Sequence, residues 1–206
     1  MDRFHPLSVP RHWLFSDERA PLPVERLAAL LPPGSGIVLR HDRLAPAARW
    51  RLCRRIARIA ASRGLVLLLA DTPDIARRWG ADGAHLRQSL GRRAGQARAL
   101  GLPFAMPVHD AAEARRARRL GAPIVFVSPL HPTRSHPGAP ALATAAWLRL
   151  ARRAGGYPVA LGGMTARRAR ALRRASKGSG LSPGWAAIDA WGEEAAAKRR
   201  RRQKRN

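Results

Sequence analysis

The sequence predicts a single α/β domain: a (β/α)8 TIM barrel of minimal size with a basic C-terminal tail. Three observations carry that prediction. Short β-branched or apolar runs alternate with longer helical patterns along most of the 206 residues, the rhythm of parallel βα units. The apolar runs are continuous, as expected of strands covered on both faces. Several of them break abruptly into Pro, Gly, Ser, Thr and His, the residues of loops at the C-terminal ends of strands, where barrels of this kind place their chemistry. A doubly wound open sheet is the alternative, normally with fewer repeats and a Gly-rich turn after its first strand.

Taken in order, Trp13-Leu-Phe15 reads as a strand ending in Ser16-Asp17, and Val24 to Leu31 as a helix stopped by Pro32-Pro-Gly34. Ile37-Val-Leu39 is a strand that runs into Arg40. A long helix from about Ala45 to Ser62 follows and ends at Gly64, with Leu52, Ile56, Ile59 and Ala60 on one face and Arg51, Arg54, Arg55 and Arg58 mostly elsewhere. Leu65 to Ala70 is an apolar strand, after which Asp71-Thr-Pro-Asp74 opens a short helix through Trp79. The series continues with a strand at Gly83 to Leu86, a helix from Gly91 to Leu100, a strand at Phe104 to Val108 and a helix from Ala111 to Leu120. Ile124 to Val127 is a strand and Pro140 to Ala154 a helix. Pro158 to Leu161, Thr165 to Ala175 and Trp185 to Ile188 complete the set as strand, helix and strand. The expected division is an N-terminal extension over 1–11, the barrel over 12–192 and a basic tail over 193–206, expected to be disordered.

Composition narrows the function. Hydrophobic residues make up 46% of the chain, enough for one core, and no apolar run approaches the ~20 residues of a membrane span. Met1 to Arg11 lacks the apolar core of an export signal, so the cytoplasm is expected. The single Cys53 cannot form an internal disulfide and reads as a small buried thiol. Lys and Arg total 39 against 13 Asp and Glu, a formal charge of +26. Such a surface attracts polyanions and predicts non-specific affinity for nucleic acid. The arginines nevertheless recur on helix after helix in solvated positions, and no zinc spacing, stacking motif or helix-turn-helix pattern supports specific recognition.

The most informative segments are Ile124 to Gly138 and Pro158-Val-Ala-Leu-Gly-Gly-Met-Thr165. Gly162-Gly163 lets backbone N–H groups approach a phosphate just before a helix N-terminus that favours an anion, with Thr165 placed as its cap. Asp71 reads either as a site carboxylate or as a cap of the following helix. His85 and His109 lie at strand ends and read more readily as structural. Trp79, Trp147 and Trp191 fall in helical patterns and read as packing.

Leu69-Ala-Asp71, Gly80-Ala-Asp-Gly-Ala-His-Leu-Arg-Gln88, Val108-His109 with Glu113-Ala, Gly121 to Thr133, and Leu161-Gly-Gly163, in this order, resemble the thiamine phosphate synthase family, which includes a thiazole tautomerase branch. The resemblance runs from about Trp13 to Trp191. It implies a TIM barrel that couples an aminopyrimidine diphosphate to a thiazole phosphate, releasing pyrophosphate with the help of Mg2+. By the same resemblance Arg40 is a diphosphate-binding arginine, although Val38 and Asp42 stand where that motif has glutamine and lysine. Asp71 is the first metal-binding aspartate, preceded by Ala70 rather than asparagine. Leu90 takes the place of the second, and Pro107 that of a strand-end serine. Thr133 is kept, Ser135 replaces a threonine and His136 a lysine in the sixth loop, so Arg40, Thr133, Ser135 and His136 are the implied catalytic set. Gly162 and Gly163, with Ile188 and Asp189 nearby, form the implied thiazole phosphate site, and His131 lies in the same loop as Thr133. These departures imply a weakened metal and diphosphate site beside a better preserved phosphate cradle. The alternatives are a tautomerase-like isomerase using His131 or His136, and a non-catalytic binder of phosphate ligands or polyanions.

Overall fold

A computed structural model of the chain describes residues 9–132, 140–188, 190–193 and 203. Eight parallel strands close on themselves in the order of the sequence. They are β1 (His12–Phe15), β2 (Gly36–Leu39), β3 (Val66–Leu69), β4 (Gly83–His85), β5 (Phe104–Val108), β6 (Ile124–Val127), β7 (Tyr157–Ala160) and β8 (Gly184–Ala187). Between them run α1 (Val24–Leu30), α2 (Pro46–Arg63), α3 (Pro73–Trp79), α4 (Ala94–Ala99), α5 (Ala111–Arg119), α6 (Thr144–Ala154) and α7 (Ala166–Ala175). The chain is therefore a (β/α)8 barrel. No described helix is long and apolar enough to cross a membrane. Most of the expected tail lies outside the described residues.

The strands carry apolar residues on both faces because each face meets a different core. Leu14, Ile37, Leu39, Leu67, Leu69 and Val125 point outward into the layer shared with the helices. Trp13, Phe15, Val38, Leu68, Ile124, Phe126 and Val159 point inward and fill the barrel. Trp13 sets the width of its lower end. Its indole Nε1 donates to the Pro10 carbonyl at 2.6 Å, and its ring lies where a side chain on β2 would go. A Cβ at Gly36 would come within 2.2 Å of that ring. Gly36→Ala is therefore expected to force a fully buried indole to move, at a cost of about 3 kcal/mol in urea unfolding.

Helices α2 and α3 end where the sequence supplies glycine. Gly64 and Gly80 adopt φ of 63° and 81° after α2 and α3, a region open to glycine at little cost. The tryptophans act as packing groups. Trp147 is fully buried and its Nε1 donates to the Val127 carbonyl at 3.0 Å. Trp191 stacks on Trp185 at 4.6 Å and its Nε1 reaches the Trp13 carbonyl at 3.1 Å. Cys53 is buried, and desolvation pushes its thiol up to about 11. Native protein at pH 8 is expected to resist iodoacetamide, with labelling only on unfolding, because the thiolate is the reactive species.

Two helices differ from the sequence expectation. The segment before α4 starts earlier, as a 3-10 helix over Gln88–Arg93, in which the Leu90 N–H donates to the Arg87 carbonyl. Helix α6 starts four residues later than expected, because the Leu142 N–H is used across the loop, on the Pro129 carbonyl at 2.9 Å.

Candidate functional site

The C-terminal strand ends surround a cavity of about 540 Å³. Its floor is the top layer of the barrel: Phe15, His85 and Phe126, in edge-to-face contact with centroids 4.7–5.5 Å apart. Two groups of polar residues face each other across this floor. One is the turn after β7 with the start of α7, and the other is formed by Arg40 after β2, Arg87 after β4 and His109 after β5.

In the first group, Gly162 and Gly163 line the cavity with φ of 95° and 56°. A Cβ on Gly162 would lie 2.8 Å from the Pro129 Cα, and one on Gly163 would lie 2.5 Å from the Pro132 carbonyl oxygen. The β6 and β7 loops thus pack backbone to backbone here, and only glycine satisfies both the space and the dihedral angle. The Leu130 and His131 N–H groups donate to the Leu161 and Gly162 carbonyls at 3.0 and 3.2 Å. Thr165 caps α7, its Oγ1 accepting the Arg168 N–H at 3.3 Å, and Arg168 Nη1 donates to the Gly163 carbonyl. A helix N-terminus, a glycine turn and a guanidinium therefore converge on one wall, an arrangement that favours an anion.

The second group is a lattice of arginines and carboxylates. Arg40 is held from β1: its Nε donates to the Ser16 carbonyl at 3.0 Å and its Nη2 to Asp17 at 2.9 Å. Its guanidinium lies 5.8 Å from the Phe15 ring centroid. Arg19 and Arg40 hold the Asp17 carboxyl well below its ordinary range, against the opposing effect of burial. Arg87 pairs with Asp42, which also lies 3.5 Å from Arg49. Arg49 is buried on α2, and its Nη1 meets Asp71 at 2.5 Å.

His85 sits between these groups. It is 5% exposed, and its Nδ1 has no hydrogen-bond partner. Desolvation, followed by the positive charges of Arg40 and Arg87, pushes its ring down to about 3. The unfolded ring binds a proton below about 6.5 and the folded ring only below about 3. Stability is therefore expected to fall as the pH drops from 6.5 towards 3. His41, lowered by burial, adds a contribution of the same sign. Urea unfolding at pH 7.5 and 5 checks this, and His85→Leu is expected to flatten the dependence over that interval.

The structure brings Arg40, Gly162, Gly163 and Ile188 to the cavity wall. Thr133, Ser135, His136 and Asp189 lie outside the described residues. The His131 side chain is not among the described groups that line the cavity; it sits behind Gly163, and burial lowers its ring. Asp71 does not line the cavity either. Its Oδ2 takes Arg49 and its Oδ1 accepts the Thr72 N–H at 2.8 Å. Leu90 is partly buried against the outer core. Among the described residues no group of three or more His, Cys, Asp or Glu side chains is arranged to hold a metal ion. Of the two expected carboxylate positions for Mg2+, Asp71 is engaged by Arg49 and the Thr72 N–H, and Leu90 supplies no oxygen, so the described donors fit the ion poorly.

Sequence reasoning missed Asp17 and Arg49. Nothing near Asp17 distinguishes it from a turn residue. For Arg49 there was a signal: it stands four residues before Cys53 and seven before Ile56, on the buried stripe of α2.

The comparisons with known proteins agree with this fold. A family model described as thiamine monophosphate synthase matches residues 16–180. No curated protein matches the chain by sequence. Among solved structures, the chain is similar to a thiamine phosphate pyrophosphorylase from Pyrococcus furiosus, with TM-score 0.73 and 19% identity over 88% of this chain and 86% of that one. It is also similar to the YdjI aldolase from Escherichia coli K12, with TM-score 0.59 and 12% identity over 88% and 76% of the two chains. A 3-hexulose-6-phosphate synthase gives TM-score 0.56 and 16% identity over 86% and 89%. At such identities the structural matches speak for the fold, and the family match, which spans most of the sequence, places the chain in the thiamine monophosphate synthase family.

Proposed function

We propose that the chain binds a thiazole phosphate and couples it to an aminopyrimidine diphosphate, in the manner its family name implies. The observation that carries this reading is one aromatic-floored cavity with a cationic site at each side: Gly162, Gly163, Thr165 and Arg168 on one, Arg40 and Arg87 on the other. A ligand pair with a phosphate at one end and a diphosphate at the other suits that layout. In the coupling, the bond between the pyrimidine methylene carbon and the diphosphate oxygen breaks, and the electron pair leaves with the diphosphate. The thiazole nitrogen then donates its pair to the methylene carbon to form the new C–N bond. Arg40 and Arg87 would balance the charge that grows on the departing group, held in place by Asp17 and Asp42. The Gly162-Gly163 turn and Arg168 would anchor the thiazole phosphate. Thr133, Ser135 and His136 of the β6–α6 loop are the further members of the set.

Incubation with both substrates, followed by mass spectrometry, tests the reading. Thiamine phosphate and pyrophosphate are expected in equal amounts. Unchanged substrates would refute the coupling.

A different observation supports a surface property. Between Glu113 and Asp189 the sequence has no acidic residue, while α5, α6 and α7 are rich in arginine. We propose that this sector of the barrel binds nucleic acid without sequence preference. Affinity for a DNA duplex is expected to fall linearly on a log–log plot against salt, with a slope of about −0.9 per phosphate neutralised. Binding indifferent to salt would contradict it.

A further inference from the structure

Resting on that reading of the cavity, we propose that the Arg49 guanidinium takes the place of a divalent cation at the β2–β4 rim, so that the anionic end of the ligand is held by arginine charge alone. Arg49 enters from the first turn of α2, where it is 8% exposed. All three of its nitrogens donate hydrogen bonds. Nε donates to the Arg40 carbonyl at 2.7 Å, Nη1 to Asp71 at 2.5 Å and Nη2 to the Ala70 carbonyl at 3.0 Å. Asp42 lies 3.5 Å from Nη2, and the guanidinium sits 5.7 Å from the Trp79 ring centroid. Two strand-end carbonyls, one carboxylate and an aromatic face therefore define a site built around a planar cation.

A guanidinium presents its donors in a planar fork that suits carboxylate and carbonyl oxygens. That of Arg49 ties the ends of β2 and β3 together and pairs with Asp71 and Asp42. A divalent ion at Asp71 would have to share the carboxylate with Arg49 and sit against its charge. The arginines that face the cavity on this side, Arg40 and Arg87, are in turn held by Asp17 and Asp42. The anion-binding charge is thus covalently part of the chain and present before any ligand arrives, which distinguishes it from a metal recruited from solution.

The test uses pyrophosphate and thiazole phosphate in parallel calorimetric titrations of the full chain, each with Mg2+ and with chelator. A Mn2+ titration followed by electron paramagnetic resonance accompanies them. The wild-type protein is expected to bind pyrophosphate with affinities within about twofold in the two buffers, and to leave the free Mn2+ signal unchanged. Arg87→Gln is expected to weaken pyrophosphate binding at least about tenfold in chelator. Arg49→Met frees Asp71 and leaves Asp42 to Arg87 alone, and is expected to make pyrophosphate binding depend on Mg2+ and to quench the Mn2+ signal. If that variant does not fold, the wild-type measurements still decide. Pyrophosphate binding that requires Mg2+, stoichiometric Mn2+ uptake by the wild type, or no pyrophosphate binding in either buffer would overturn the proposal. If thiazole phosphate still binds in those cases, only this inference fails. If neither ligand binds, the proposed function fails with it.

Discussion

Gly162→Ala is expected to lose at least about tenfold in affinity for a phosphorylated ligand and about 3 kcal/mol of stability. Two separate costs meet at this position. With φ at 95°, Gly162 occupies backbone space that an L side chain adopts only under strain. The added methyl would also lie 2.8 Å from the Cα and the Cβ of Pro129 and 3.2 Å from the Leu130 nitrogen. Those atoms belong to a loop fixed by its own hydrogen bonds to the β7 end, so relief must come from the turn moving. Movement withdraws the Gly163 and Arg168 groups from the anion wall, so binding and stability fall together. Calorimetry with thiazole phosphate and urea unfolding measure the two losses. A variant as stable as wild type would show that the loops do not pack as closely as described.

Arg49→Ala is expected to cost about 3 kcal/mol. Removing one partner of a buried ion pair leaves an uncompensated charge, usually worth about 3–5 kcal/mol. The lower end applies because Asp71 and Asp42 keep 21% and 43% of their side-chain surface in contact with water. Two carbonyls, of Arg40 and Ala70, lose donors at the same time. Asp71→Asn removes the stranded charge, so the double variant is expected to be more stable than the sum of the single losses, as groups in direct contact couple. Additive losses in urea unfolding would show that the pair does not interact.

The fold was legible because a barrel strand is apolar on both faces. Phe104–Val108 and Ile124–Val127 have in the structure the bounds the sequence predicts. The late start of α6 was not legible, since it depends on one long-range bond from Leu142 to Pro129. The glycine turn could be read because close backbone approach at positive φ leaves a chemical trace in the sequence: nothing else fits. The arginine lattice left no such trace. On α2 the buried Arg49 looks like the solvated Arg51, Arg54 and Arg55 around it, and only its place on the Cys53–Ile56 stripe sets it apart. For Asp71 the local pattern was ambiguous between site carboxylate and helix cap, and its partner Arg49 is 22 residues away in the chain.

One titration bears most directly on the central claim, that the cavity over Phe15, His85 and Phe126 takes a phosphorylated heterocycle against the Gly162-Gly163 turn. Thiazole phosphate is added to the wild-type protein and to Arg168→Ala in a calorimeter. The account predicts one ligand per chain, bound about tenfold more weakly by Arg168→Ala, the scale for losing a charge-assisted contact. No heat with the wild type, or equal affinity in the two proteins, would contradict it.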